Sequence, residues 1–278
     1  HRGDEILDPQ QMGVRAGTRV SEVVRLERIA EELVETGISA ADFRSTFADE
    51  LDVRLRTAVG VKSIAAYRIG LDFVPERPSP GEVDAAVADW IRANHDGPFR
   101  LNSATIIRHI IWEAVDRSVP IQFHIGYGDP DVDLHRCNPL LLTEFLRLTR
   151  GSGANIMLLH CYPYHREAGY LAHCFEHVYA DVGLAINYTG AQAAQVIAES
   201  LELTPFHKAL FSSDAWGAAE LYSLGSVLFR DGLDSVLADW ATRHGWPEDE
   251  LHRMAGMIGA GNARRVYGLA EDETGFGQ

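Results

Sequence analysis

The stretch PIQFHIGYGDPDVDLHRCNPLLLTEFLRLTRGSGANIMLLHCYPYH, residues 120–165, decides the fold. It begins and ends on short apolar runs, Pro120–Ile125 and Asn155–His160. Continuous apolar runs of this length suit strands buried on both faces. Between them Asn138-Pro139 reads as a helix cap and first helical position, followed by Leu142, Phe145 and Leu146 on one face. Strand, helix, strand predicts a parallel βαβ unit with a right-handed crossover.

The same alternation continues outward. Val59–Tyr67, Val178–Val182 and Ala209–Ser213 are further apolar runs, and Val23–Thr36 reads as a short strand running into a helix. A helix is expected from Ala40 to about Leu55. Ser79-Pro80-Gly81-Glu82 forms a capping box, with Val83, Val87, Trp90 and Ile91 on one face behind it. Ile106, Ile107, Ile110, Ile111 and Ala114 form another helical stripe. Residues 1–20 read as irregular. There is no linker or low-complexity segment, so residues 1–278 read as one domain. The length suits an α/β barrel, which takes about 250 residues. Five clear strands and a sixth near Val24 leave two architectures open. One is an open doubly wound sheet; the other is a barrel whose first strands precede residue 1.

Composition narrows the function. Lys and Arg total 25 against 40 Asp and Glu, a net charge of −15. That balance argues against nucleic-acid binding and against attachment to anionic lipid. No apolar stretch is long enough for a membrane span, and no secretion signal is visible. Three cysteines without framework spacing suggest a reducing compartment, hence a cytoplasmic protein. A small-molecule substrate is the expected partner, and a homo-oligomer is left open.

Polar residues fall where the apolar runs end: Lys62, His124, His160 and Asp214. In a parallel barrel these ends face one mouth, where catalytic groups from different strands converge. Imidazoles and a carboxylate suit Zn²⁺ or a similar ion. Any one of them alone is more often a satisfied polar group; four in successive strand positions make a joint site. Lys62 and Lys208 are the only lysines, against 23 arginines (25 − 2). An amine inside an apolar strand can serve as a base or, with CO₂, as an anionic carbamate ligand. The plain alternative is a lysine that snorkels or pairs with a buried acid.

The segments VGVKSIAAYRIGL (59–71), FHIGYGDPDVDLHRCNPLLL (123–142), LLHCYPYHREAGYLA (158–172), VYADVGLAI (178–186), LFSSDA (210–215) and GNARRVYGL (261–269) resemble the metal-dependent amidohydrolase superfamily. They are most similar to the amidohydrolase-like domains fused to glutamine-synthetase-like domains in proteins of the FluG and nodulin type. The resemblance spans about residues 20–270. It implies a distorted (β/α)₈ TIM barrel, with His124 on strand 5, His160 on strand 6, Asp214 on strand 8 and Lys62 at the strand-4 position of a carbamylated lysine. It also implies an His-x-His pair on strand 1. No such pair occurs in the sequence, so the first two strands are expected upstream of residue 1.

The resemblance further implies hydrolysis of a C–N bond in a small polar substrate. One or two divalent ions, expected to be Zn²⁺, would be held by Lys62, His124, His160 and Asp214. Asp214 would be the general base and acid, with His160 beside the substrate. Arg68 is a candidate carboxylate clamp or else a rim salt bridge. Tyr67, Tyr127, Tyr162, His165 and Arg166 are candidate substrate contacts in mouth loops. A decarboxylase or other lyase on the same site, and a non-catalytic binding barrel, are the alternatives.

Other motifs carry less. Asp129-x-Asp131-x-Asp133 lacks the Gly and Glu of a calcium loop and reads as a polar loop after strand 5. His173 and His177 read as an i,i+4 pair on a solvated helix face. Cys161 reads as a small buried hydrophobe. His109 and Trp112 read as packing or surface residues. Gly151-Ser152-Gly153 and Gly259-Ala260-Gly261 lack phosphate-loop context.

Overall fold

The structure, a computed structural model, describes residues 7, 9–94, 99–216 and 218–269. Five strands form one sheet: β1 (Glu22–Arg25), β2 (Ala58–Ser63), β3 (Ile121–His124), β4 (Ile156–Leu159) and β5 (Val178–Ala180). All neighbouring pairs are parallel, and the spatial order is the chain order β1-β2-β3-β4-β5. A doubly wound sheet reverses its strand order at a switch point. A monotonic order, with a helical crossover after each strand, is the barrel arrangement. The described strands form an arc that does not close into a ring.

Strand alternation divides the core. Val61, Ile121, Phe123, Ile156 and Leu158 face the helices and pack with Ile29, Phe43, Phe47, Val87, Ile107 and Phe145. On the opposite face Met157, Leu159 and Tyr179 meet Leu210 and Val266. Val266 and Tyr267 seal one end of this inner space. Tyr267, after helix Asn262–Val266, accepts a hydrogen bond from Gln122 Nε2 at 2.6 Å. Gly60 makes room there: a Cβ would lie 2.8 Å from the Pro120 carbonyl oxygen and 3.5 Å from the Tyr267 ring.

Local signals translate directly. The helix Pro80–Ala93 starts on the expected box: Glu82 N donates to Ser79 Oγ, and Ser79 N donates to Glu82 Oε2. Asn138 Oδ1 accepts from Leu140 N, but the turn it starts, Pro139–Leu142, is 3₁₀ before the helix Thr143–Leu148.

Four expectations need correction. Pro9–Ala16 form a helix inside the stretch read as irregular. The run Val59–Tyr67 leaves the strand after Ser63, because buried Glu27 takes Ser63 Oγ–H and Ile64 N–H and turns the chain into the helical turn Ala65–Arg68. Ala209–Ser213 contributes only a bridge, Ala180 to Ala209. β5 stops at Ala180, where Asp181 turns to bind other backbone N–H groups, so no extended partner continues beside Phe211. Finally, helix His165–Cys174 ends before His177. His177 is buried, 3.1 Å from Thr149 Oγ1, while His173 is exposed.

The three cysteines are free. No helix among the described residues is long and apolar enough to cross a membrane. Lys208, the second lysine, donates to the carbonyls of Ala172 and Phe175 and so ends a helix. Met257–Gly261 is a π-helical turn, not a phosphate loop.

Candidate active site

The C-terminal strand ends border a cavity of about 590 Å³ whose wall includes Lys62, Tyr67, Arg68, His124, Tyr127, His160 and Asp214. Their assembly follows from the strand order. Lys62 and His124 project from the inner faces of β2 and β3, opposite Val61 and Phe123, which face the helices. His160 follows Leu159, an inner residue, so simple alternation would turn it outward. It does not turn outward, because His160 and Cys161 both adopt left-handed backbone, φ 70° and 55°. Asp214 is left-handed as well, φ 44°. Such conformations in residues other than glycine cost energy and cluster at functional sites.

Asp181 holds the first of these turns. Its buried Oδ1 accepts the N–H of His160 and of Gly183, both at 2.9 Å. Burial raises the Asp181 pKa, and the two backbone donors work against that rise. Cys161 is wholly buried, its Sγ 3.1 Å from the Leu158 oxygen.

The two imidazoles lie side by side, ring centroids 4.8 Å apart, with the Tyr67 ring 4.4 Å from His124. His124 Nε2 and His160 Nδ1 are buried without a hydrogen-bond partner among the described residues. His160 Nδ1 is 3.5 Å from Asp214 Oδ2, an ion-pair distance rather than a hydrogen bond. Burial, and then the charge of Lys62, push His124 down to about 4. Burial, then His124 and Lys62, hold His160 well below the ordinary imidazole range. Both rings are therefore neutral near pH 7, the form with a free nitrogen lone pair. Asp214 moves the other way, raised to about 6 by burial, with Lys62 opposing and Asp181 adding.

Tyr67 braces the loop after β3. Its hydroxyl accepts from Asp129 N at 3.3 Å, and a Cβ on Gly128 would fall 1.9 Å from that oxygen. Burial lifts the Tyr67 hydroxyl to about 12 and raises Tyr127 further. Asp129 and Asp131 also line the cavity. Arg68 is in the wall with its side chain buried and paired with Glu31 at 3.1 Å, so an exposed rim salt bridge does not describe it.

Three of the candidate substrate contacts lie outside the cavity wall. Tyr162 stacks on His165 at 5.6 Å, His165 Nε2 lies 2.8 Å from Glu199 Oε2, and Arg166 pairs with Glu202 at 2.9 Å. The left-handed pair His160–Cys161 swings the chain toward helix Ala193–Ser200, which carries Glu199. Conversely, sequence reasoning passed over Asp181, which ends the run Val178–Val182 as the other polar residues end theirs. It also passed over Arg25, Arg100, Asn187 and Tyr188 in the wall. No sequence pattern singles those out.

The chemistry of the donors fits a divalent ion: two neutral imidazole nitrogens without partners and a carboxylate beside one of them. They are not drawn together into a complete set, since no group of three or more His, Cys, Asp or Glu among the described residues could hold a metal ion.

Comparison with known proteins agrees with the fold. The family model described as Amidohydrolase matches residues 30–269. Protein fluG of Emericella nidulans is 29% identical over 235 residues. That alignment covers 77% of this chain and 26% of fluG, so the chain spans about a quarter of the curated relative it matches. Among solved structures, a provisionally assigned metal-dependent hydrolase from Lactobacillus casei superposes with a TM-score of 0.87 at 33% identity, over 96% of this chain and 70% of that one. The uronate isomerase of Bacillus halodurans shares the fold, with a TM-score of 0.60 at 13% identity over 95% of this chain and 64% of that one.

Proposed function

The chain belongs to the amidohydrolase family, and from that premise we propose that it is a metal-dependent hydrolase of a C–N bond in a small polar substrate. The observation that carries this reading is the pair of buried, unpartnered nitrogens, His124 Nε2 and His160 Nδ1, beside Asp214 in one cavity. Burying polar atoms without partners is costly, so a site that does so is organised for something it binds.

Lys62, His124, His160 and Asp214 would hold the ion, with Zn²⁺ the best match to imidazole and carboxylate donors. A bound divalent ion supplies Lewis-acid polarisation of water and of a substrate carbonyl. Asp214 takes the proton from the attacking water and returns it to the leaving nitrogen, a role suited to a carboxylate raised to about 6. His160, held through its N–H by Asp181, lies beside Asp214 and faces the substrate. Lys62 contributes charge felt by His124, His160, Asp181 and Asp214. Its neutral amine, combining with CO₂ and releasing a proton, would become an anionic carbamate ligand. Tyr67 packs against the His124 ring, and Tyr127 shares the cavity wall. Tyr162, His165 and Arg166 would act on substrate only through the packing behind Tyr127, which Tyr162 meets edge-on at 5.8 Å. A cytoplasmic setting accords with three free cysteines.

A panel of small amides, followed by NMR with the metal-replete protein, tests the reading. Release of ammonia or amine that stops on chelation supports it. Loss of CO₂ from an acid instead would move the site to the lyase alternative, and no product from either class would overturn the hydrolase reading.

A further inference from the structure

One end of the cavity takes no part in the proposed proton transfers. Arg68 stands there, on the turn Ala65–Arg68, with its side chain only 7% exposed. Nη2 donates to Glu31 Oε1 at 3.1 Å, and that same oxygen also accepts the Leu101 N–H at 3.0 Å. Nε and Nη1 are buried with no hydrogen-bond partner among the described residues. A guanidinium is always charged and carries five donors, so a single shared acceptor leaves most of its bonding capacity unmet. Burial pulls the Arg68 pKa down despite the opposing charge of Glu31, as expected of a cation short of counter-charge.

The surroundings have the same character. Arg25 and Arg100 share the wall. Arg25 forms no ion pair among the described residues, and Arg100 reaches Asp131 at 2.9 Å on the exposed rim. Of the acids facing this end, Glu31 is divided between two donors, and Asp131 is held by Arg100. Asp129 also lines the cavity; its backbone N–H donates to the Tyr67 hydroxyl, and its carboxylate forms no ion pair among the described residues. Glu27 commits Oε1 to Ser63 and Ile64, and burial favours its neutral form. Three arginines thus face a cavity in which Glu31 and Asp131 are already engaged and burial favours the neutral form of Glu27, leaving Asp129 as the unpaired acid. The acids that remain disfavour a doubly charged phosphate more than a singly charged carboxylate.

We propose that Arg68, flanked by Arg25 and Arg100, binds a carboxylate of the substrate, so that the molecule processed here is an acidic amide. The anionic end lies on Arg68 and the scissile bond lies toward His124, His160 and Asp214. The substrate class rests on the hydrolase reading above; the anion site itself does not.

The test uses inert probes and binding alone. 4-Hydroxybutyrate, 1,4-butanediol and methyl phosphate are titrated by NMR into wild type, chelator-treated wild type and Arg68→Gln. The expected result is a preference for 4-hydroxybutyrate over the diol of about tenfold or more. It should survive chelation and vanish in the variant. Should Arg68→Gln fail to fold by circular dichroism, Arg68→Lys replaces it; that variant keeps the charge, loses the planar donor fork, and should still weaken the carboxylate about threefold or more. Equal binding of carboxylate and diol in wild type would overturn the proposal. So would a preference unchanged in the Arg68 variants, or tighter binding of methyl phosphate. A preference lost only on chelation would put the carboxylate on the metal, overturning this site while leaving the metal reading intact. The amide panel reports on hydrolysis separately, so the failure of either reading can be told from the other.

Discussion

Gln122 and His124 lie two residues apart on the inner face of β3. Gln122 points toward the sealed end, where its amide donates to Tyr267 at 2.6 Å. His124 points into the mouth, where its Nε2 is buried without a partner. The same strand, in the same register, supplies a satisfied polar group at one end and an unsatisfied one at the other. The contrast extends across the sheet. The sealed end is packed by Met157, Tyr179 and Val266, while the mouth carries left-handed His160, Cys161 and Asp214. One end is organised for stability, the other for binding, and substitutions should separate the two.

The largest effect is expected at the mouth and should spare the fold. Asp214→Asn removes the proposed proton carrier and should lower turnover by roughly 10²–10⁴-fold. Metal occupancy should be largely preserved, because Asn keeps an oxygen donor, and the melting temperature should stay near wild type. Full activity in that variant would take Asp214 out of the proton-transfer role.

Gly128→Ala comes next, because its Cβ would fall 1.9 Å from the Tyr67 hydroxyl oxygen. Overpacking of this kind costs about 1–3 kcal/mol. Here the strain should displace the loop and Tyr67, so urea denaturation and steady-state kinetics should both worsen. A loop that absorbs the methyl group with neither affected would mean that Tyr67 does not brace it.

At the sealed end, Tyr267→Phe removes only a hydroxyl and leaves Gln122 without its acceptor. The expected loss is about 1–2 kcal/mol in urea denaturation, with KM and kcat unchanged. A large loss of activity at constant stability would blur the division between the two ends.

The smallest effect lies outside both. Burial against Thr149 holds His177 below its ordinary 6.5. As pH falls, the unfolded chain takes up this proton first. The corresponding stability is present above 6.5 and is lost as pH falls through the lower folded value. His177→Gln should flatten this acid-side slope. An unchanged slope would assign it to other groups.

What could be read from the sequence depended on how local its cause was. The Ser79 capping box is complete because both partners lie within one turn. Lys62, His124, His160 and Asp214 were found by the rule that polar residues ending apolar strands face one mouth. Asp181 obeys that rule, but its role is to hold a left-handed turn on another strand, and no local pattern shows a turn made by a side chain 21 residues away. The same turn carries Tyr162, His165 and Arg166 away from the cavity wall, because a place just after a strand does not fix a loop's direction once φ turns positive. Ala209–Ser213 has the composition of a strand, yet pairing requires a neighbour that stays extended, and β5 ends at Ala180. Arg68 was noticed for its position; that it is buried with two idle nitrogens depends on Glu31 and Leu101, which lie far off in the chain.

The central claim is that the mouth gathers a divalent ion between imidazoles that the fold leaves unpartnered. A crystal of the metal-replete protein, with diffraction collected on either side of the metal absorption edge, tests it directly. The predicted result is an anomalous peak within coordination distance of His124 Nε2, His160 Nδ1 and an Asp214 oxygen, absent in His124→Asn crystals. A metal-replete crystal with no peak at the mouth, or with the peak elsewhere, would contradict it.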